Sequence, residues 1–272
     1  MLKKSFFHTL NTIKRSKLSF ASVVFADFLN FFAFGMVHVL FFLQIFPLLE
    51  NISKLSGLSA LQAFDSQTEE QLSQVMLQVS EFTDLYSNLI TSLAYYGLSL
   101  LVIWVLFQSI SWYLSSEIIA KHKFGFRQYL SYLIKFAYIS VLCFAVFSLL
   151  IFIIFKVIFL FTFTNVEVKA DLAPYLIGAA ILLVLYLSLA AYTKLGSKNM
   201  FHSTLKQLIR FNFAAVSVIS ASLLALISLL ITYLADFLAA TFITSLIMVV
   251  PLVILVFPLI AFARLWLIEA TR

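Results

Sequence analysis

Charge is what this chain has least of. Asp, Glu, Lys and Arg together make up 11% of its 272 residues, against about 25% in a soluble domain of average usage. Hydrophobic residues make up 63%, and the mean hydropathy is +1.06. A water-soluble fold cannot hide that much apolar surface, so lipid has to be part of the solvent. Cysteine is nearly absent. Cys143 stands alone, which excludes an internal disulfide framework, and its place in an apolar run reads as a small hydrophobe. Six Gly and four Pro leave no GxxxxGK[ST] loop, no GxGxxG fingerprint and no inverted pair of Gly/Pro-broken spans. Histidine is scarce as well. There is no HExxH for an intramembrane zinc protease and no GxSxG elbow, and His38 alone of the four histidines lies in an apolar run. The Glu69-Glu70 pair lacks the following Arg of membrane prenyl-protease motifs. These absences predict a non-enzymatic protein with no metal and no cofactor.

The net charge of +6 does not point to nucleic acid. No Lys/Arg run exceeds two residues, and no zinc spacing or RNA-binding signature is present. The charge instead reads as topogenic. The N-terminus is basic, as a signal peptide's would be, but the apolar stretch behind it is too long for an h-region and has no small-residue cleavage site. It reads as a retained span.

Six apolar runs reach the roughly 20 residues that a membrane span needs: Leu18 to Leu49, Leu89 to Leu114, Phe136 to Phe163, Tyr175 to Tyr192, Phe211 to Leu234 and Leu238 to Leu267. They are far longer than barrel strands and lack period-2 alternation, so they read as helices. The connections alternate in charge. Lys3, Lys4, Lys14, Arg15 and Lys17 precede the first run. Lys121, Lys123, Arg127 and Lys135 precede the third, and Lys194, Lys198, Lys206 and Arg210 the fifth. Residues 50–88 carry six carboxylates against Lys54. The Lys/Arg bias therefore predicts six spans in the cell membrane with both termini cytoplasmic, forming a single integral membrane domain over residues 1–272.

A pattern recurs before each outward-going span. Phe6, Phe126 and Phe201 are followed four residues on by Leu10, Leu130 and Leu205, seven on by Ile13, Leu133 and Leu208, and nine on by Arg15, Lys135 and Arg210. Offsets of 0, 4 and 7 share one helical face, and the residues between them are polar. The chain thus reads as three units, each a basic amphipathic helix followed by a span out and a span back; the first such helix occupies residues 1–17. Each would lie in the cytoplasmic interface, aromatic face down, with Lys14, Arg15, Lys123, Arg127, Lys135, Lys206 and Arg210 toward anionic headgroups. The alternative is that these segments are the cytoplasmic ends of longer tilted spans.

The external segment 50–88 differs. Ser66 and Glu69 have capping-box spacing, and Leu72, Val75, Met76, Val79, Phe82 and Tyr86 follow at helical spacing. This predicts an acidic amphipathic helix that either caps the bundle or binds a partner.

Ionisable groups inside a span are expensive, so each is a functional candidate. Asp27, Asn30, His38 and Gln44 of the first span fall within an arc of about 120° on a helix of 3.6 residues per turn. They form either a polar path or a set of interhelical contacts, for example with Gln108, Ser109 or Ser111. Asp27 and His38 stand roughly 16 Å apart along the axis, too far for an acid–base pair. Lys156 reads as a snorkelling lysine, His8 and His202 as surface histidines. Pro251 and Pro258 are kink candidates in the sixth span, where Thr241, Thr244 and Ser245 read as helix contacts.

The segments FGFRQYLSYLIKF (124–136) and MFHSTLKQLIRF (200–211), each a basic, Phe-rich opening to a span pair, resemble uncharacterised archaeal and bacterial six-span membrane families. They are also similar to the membrane domain fused to some glycerophosphodiester phosphodiesterases. The resemblance implies an all-α, lipid-embedded six-helix bundle and brings no active site; the soluble hydrolase domain and catalytic metal ligands of the fused forms are missing here. The expected function is that of a multi-pass scaffold or assembly component, organising lipid through its basic inner face. The alternative is a small-solute or ion transporter or channel that uses the first-span stripe. Expected partners are the bilayer with its anionic cytoplasmic headgroups, and a membrane-protein partner or second copy, not nucleic acid.

Overall fold

The computed structural model describes residues 2–62, 69–121, 125–163, 172–195, 199–237 and 255–271. Among them are eight helices and no strand: α1 Leu2–Arg15, α2 Lys17–Gln62, α3 Glu69–Ala120, α4 Phe126–Phe163, α5 Leu172–Tyr192, α6 Met200–Leu208, α7 Phe211–Phe237 and α8 Phe257–Ala270. By length and composition, four are able to cross a membrane: α2 over Lys17–Ser53, α3 over Ser80–Ala120, α4 over Phe126–Ile154 and α5 over Tyr175–Tyr192. Most of the predicted sixth span, with Pro251, Thr241, Thr244 and Ser245, lies outside the described residues. So do Lys123, Lys198, Ser66 of the capping box and the connection holding Glu167, Lys169 and Asp171. Pro258 is the second residue of α8, directly after a π-helical pair at residues 255–256.

The three predicted interfacial helices part company in the structure. The first and third are separate helices, α1 and α6. The chain leaves α1 at Ser16, whose N–H still reaches Thr12 O at 3.0 Å, and it re-enters helix when Phe20 N–H donates to Ser16 O at 2.9 Å. At the end of α6, Arg210 N–H donates to Gln207 O at 3.1 Å, and the Arg210 carbonyl accepts from Phe213 and Ala214 to open α7. The second copy is not a separate helix, because α4 runs from Phe126 through Lys135 to Phe163 without interruption. The position that breaks the first copy, Ser16, corresponds to Phe136 in the second. Phe136 is fully buried and stacks on Tyr192 at 4.3 Å between ring centroids. That packing holds the backbone helical across the join. At the start of α4, Gln128 Oε1 accepts from Gly125 N–H at 3.0 Å, the inward half of a capping box. Likewise α3 joins the predicted acidic external helix and the second span into one element of 52 residues. It ends at Lys121, whose left-handed φ of 55° is a usual way to stop a helix.

The chain divides into two compact units, Met1–Asn30 with Trp104–Arg272, and Phe31–Ile103. In the first, Val23, Trp112, Ile119, Phe136, Tyr192, Leu195 and Leu265 are buried in one cluster, and Ala190, Phe213, Val216, Trp266 and Leu267 in another. Three aromatic residues converge on Tyr192: Phe136 stacks on it, Trp112 tilts against it at 5.6 Å, and Trp104 Nε1 donates to its hydroxyl at 3.2 Å. In the second unit α2 and α3 run antiparallel. His38 Nδ1 meets Tyr96 Oη at 2.7 Å, and Gln44 Nε2 donates to Ser92 Oγ at 3.4 Å, so a step forward on one helix is matched by a step back on the other.

The aromatic face of α1 was expected to face lipid. Phe6 instead packs edge-on against Phe262 and Trp266 of α8, at 5.3 Å from each. Trp266 Nε1 donates to Ser5 Oγ at 3.0 Å, and His8 Nδ1 lies 3.0 Å from Glu269 Oε1. Positions 262, 266 and 269 share one face of α8, and aromatic packing there outcompetes lipid contact for Phe6. In the other two copies the leading phenylalanines, Phe126 and Phe201, are exposed as expected, in stripes with Leu130 and Ile134 and with Leu205 and Ile209. Truncating Phe6 to Ala should release α1 from α8. Limited trypsin digestion would then cut after Lys14 or Arg15 roughly tenfold faster, because local opening controls access to the backbone. An unchanged rate would show that Phe6 does not hold the clasp.

Candidate functional site

The most polar point of the first unit is also one of its most buried. Asp27 on α2 and Arg264 on α8 are 3% and 4% exposed. Arg264 NH2 donates to Asp27 Oδ1 at 2.8 Å and NH1 to Oδ2 at 3.2 Å, a two-pronged pair. Gln108 of α3 closes the triangle. Its Nε2 donates to Asp27 Oδ1 at 3.4 Å, and its Oε1 accepts from Arg264 NH2 at 3.1 Å. One turn along α3, Trp112 presents its ring 5.4 Å from the guanidinium carbon. Positions 108 and 112 are i,i+4 and share a helix face, so one stretch of α3 supplies both the amide bridge and the aromatic plane.

The cluster is electrically neutral and joins three helices. Both carboxylate oxygens of Asp27 accept from Arg264, and one also from Gln108, so the carboxylate is engaged as a structural anion. A planar guanidinium suits the task, because it matches a carboxylate with two parallel bonds and is more weakly hydrated than an ammonium group.

The stripe predicted on the first span divides in two. Asp27 and Asn30 are buried in the first unit, and Asn30 Oδ1 has no hydrogen-bond partner. His38 and Gln44 belong to the second unit, are exposed, and bond across the helix pair to Tyr96 and Ser92. Ser111, a turn beyond Gln108, is likewise buried with an unpartnered hydroxyl. Ser109 makes its contact with Tyr129 Oη at 3.4 Å. Lys14, Arg15, Arg127, Lys135, Lys206 and Arg210 are exposed, and Lys156 extends over the Phe152 ring at 5.7 Å. Among the described residues no group of three His, Cys, Asp or Glu side chains converges as metal ligands.

Arg264 is the functional side chain that sequence reasoning missed. It lies inside the apolar stretch LIAFARLWLI. A lone cation in such a stretch calls for an anion from another span, and Asp27 was the available carboxylate. Lys194 was counted only as a loop charge. Its Nζ donates to the Thr271 carbonyl at 2.9 Å, and burial first, then the neighbouring Arg210, pull its amine below the usual lysine range. No signal in the sequence marked that contact.

No protein-family model matches the chain, and neither a curated protein nor a solved structure matches it.

Proposed function

We propose that this chain is a non-enzymatic multi-pass membrane scaffold of six spans in three pairs, with both termini on the cytoplasmic side and a basic inner face that gathers anionic lipid. The observation that carries this reading is the Asp27–Arg264–Gln108 cluster. It commits the buried carboxylate of the first-span stripe to joining three helices, which is the work of packing, not of passage. The exposed pairs of apolar stripe and cation on α4 and α6 support the lipid-gathering half of the proposal. The likeness to six-span families and to the membrane domain of glycerophosphodiester phosphodiesterases belongs to the same proposal, and rests on segments 124–136 and 200–211.

Thiol labelling of intact membranes tests it. With Cys143 changed to Ser and single cysteines placed at 27, 30 or 38, a small membrane-impermeant reagent should leave 27 and 30 dark from both sides while loop cysteines label. Labelling at 30 together with 38, with the same dependence on side, would instead mark an aqueous path and make transport the better reading.

A further inference from the structure

In the second unit α3 has two uncovered flanks, and they differ in chemistry. Ser92 and Tyr96 mark the side that meets α2, through Gln44 and His38. On one flank of that seam stand Phe82, Tyr86, Ile90 and Leu93, all exposed and, apart from the Tyr86 hydroxyl, all apolar. Such a face suits acyl chains. On the other flank stand Asp84, Asn88, Thr91, Tyr95, Leu98 and Val102, within an arc of about 80° on a helix of 3.6 residues per turn. All six are exposed, Tyr95 at 69%. Thr91 and Tyr95 lie inside the apolar run that begins at Leu89, and Asn88 stands at its edge. Among the described residues no hydrogen bond engages the side chains of Asn88, Thr91 or Tyr95. Ser22, Ser115, Ser116 and Thr204 each turn the hydroxyl back to the carbonyl four residues before; Thr91 does not.

The spacing of this polar flank says what kind of surface covers it. From Asp84 to Val102 the steps alternate between four residues and three, which is the seam of a coiled coil. Polar side chains in an apolar helix face another helix, because acyl chains offer them no hydrogen bond. We propose that this flank of α3 packs against the same flank of a second copy, in a parallel pair about a two-fold axis along the membrane normal. The copies run parallel because each threads the bilayer the same way, and at such a seam every residue meets its own counterpart. Asn88 is suited to that. Its amide both donates and accepts, so two identical amides at one depth complete each other. Thr91 and Tyr95 bring hydroxyls that do the same. Asp84 sets the limit of the seam: two copies bring two carboxylates together at its acidic end, which weakens the pair there. The inference takes from the reading above only that α3 is a span, and gives the scaffold a surface on which to assemble.

The test is disulfide cross-linking of the full chain in native membranes, with Cys143 changed to Ser, copper phenanthroline as oxidant and dimers read on non-reducing gels. Single cysteines at 91, 95 and 98 should give a dimer band, and single cysteines at 86, 90 and 93 on the other flank should not. In the chain with a cysteine at 95, Asn88→Leu should weaken the band about threefold to tenfold, the range that one interhelical hydrogen bond in a membrane supplies. Asp84→Asn should strengthen it by removing the facing carboxylates. Both substitutions fall on exposed positions, so the fold survives them. Equal bands on the two flanks would overturn the proposal as random collision, and stronger bands at 86, 90 and 93 would overturn it in favour of the other flank. So would no dimer band at any position, or a stripe that cross-links only to a different protein. A band at 95 that Asn88→Leu leaves unchanged would remove the amide pair from the interface. Thiol labelling at 30 and 38 is read separately. Dark positions without a dimer sink this surface and leave the scaffold standing, while labelled positions with a dimer do the reverse.

Discussion

Replacing Arg264 with Gln should destabilise the protein by about 3–5 kcal/mol, because it strands the Asp27 carboxylate in a place water does not reach. Asp27→Asn should cost less, since an amide can still accept from the guanidinium while the stranded charge is now Arg264. The decisive variant is the double one. Asp27→Leu with Arg264→Met removes both charges and fills similar space, and such replacements are often neutral or stabilising by about 1–4 kcal/mol. Thermal unfolding of the purified protein in detergent should therefore show both single variants falling well below the wild type and the double variant recovering. Gln108 complicates the cycle in a useful way. Left without its two partners, it would become a buried unsatisfied amide, so adding Gln108→Leu to the double variant should raise stability further. Single variants that lose less than about 1 kcal/mol would show that the pair is solvated and weak.

Phe136→Ala should have a comparable effect, about 3–5 kcal/mol, through a different mechanism. Phe136 is fully buried and stacks on Tyr192, whose hydroxyl meets Ser140 Oγ at 2.9 Å and Trp104 Nε1 at 3.2 Å. Truncation opens a cavity at the hub where α3, α4 and α5 meet. It also removes the contact that keeps α4 straight through the end of its amphipathic segment. Tyr192→Phe keeps the ring and loses only the hydroxyl bonds, so it should cost about 1 kcal/mol. The control lies ten residues upstream on the same helix: Phe126 is 80% exposed, and Phe126→Ala should stay within about 0.5 kcal/mol of the wild type. Unfolding midpoints in one detergent would rank the three. If Phe136→Ala falls no further than Phe126→Ala, the buried hub is not what holds these helices together.

Much of the architecture was legible in the sequence because lipid leaves so few options. A run of about 20 apolar residues has to satisfy its own backbone, and only a helix does so within one segment. The predicted fourth run and the apolar stretch of α5 coincide from Tyr175 to Tyr192. The joins at Ser16 and Arg210 fall where a basic residue closes each amphipathic pattern. The uninterrupted α4 was not legible, because a period of 0, 4 and 7 looks the same in a separate helix and in the first turns of a long one. The candidate stripe was legible as a set of polar residues on one face, but not as a function. Hydrogen bonds to Gln108, Arg264, Tyr96 and Ser92 link residues 48 to 237 positions apart, and no periodicity along one helix encodes them.

By itself, then, the sequence determined that the chain is helical and suited to a bilayer, where its amphipathic segments stand and which connections are basic. These follow from local composition and spacing. Only the tertiary structure decided that Phe6 turns to α8 while Phe126 and Phe201 face outward, that Phe136 is an anchor, and that Arg264 is the partner of Asp27. The reason is physical. A helix face shows which side chains share a direction, but burial and ion pairing depend on what another helix brings to that face. A charge in an apolar run has a meaning only once its partner is found.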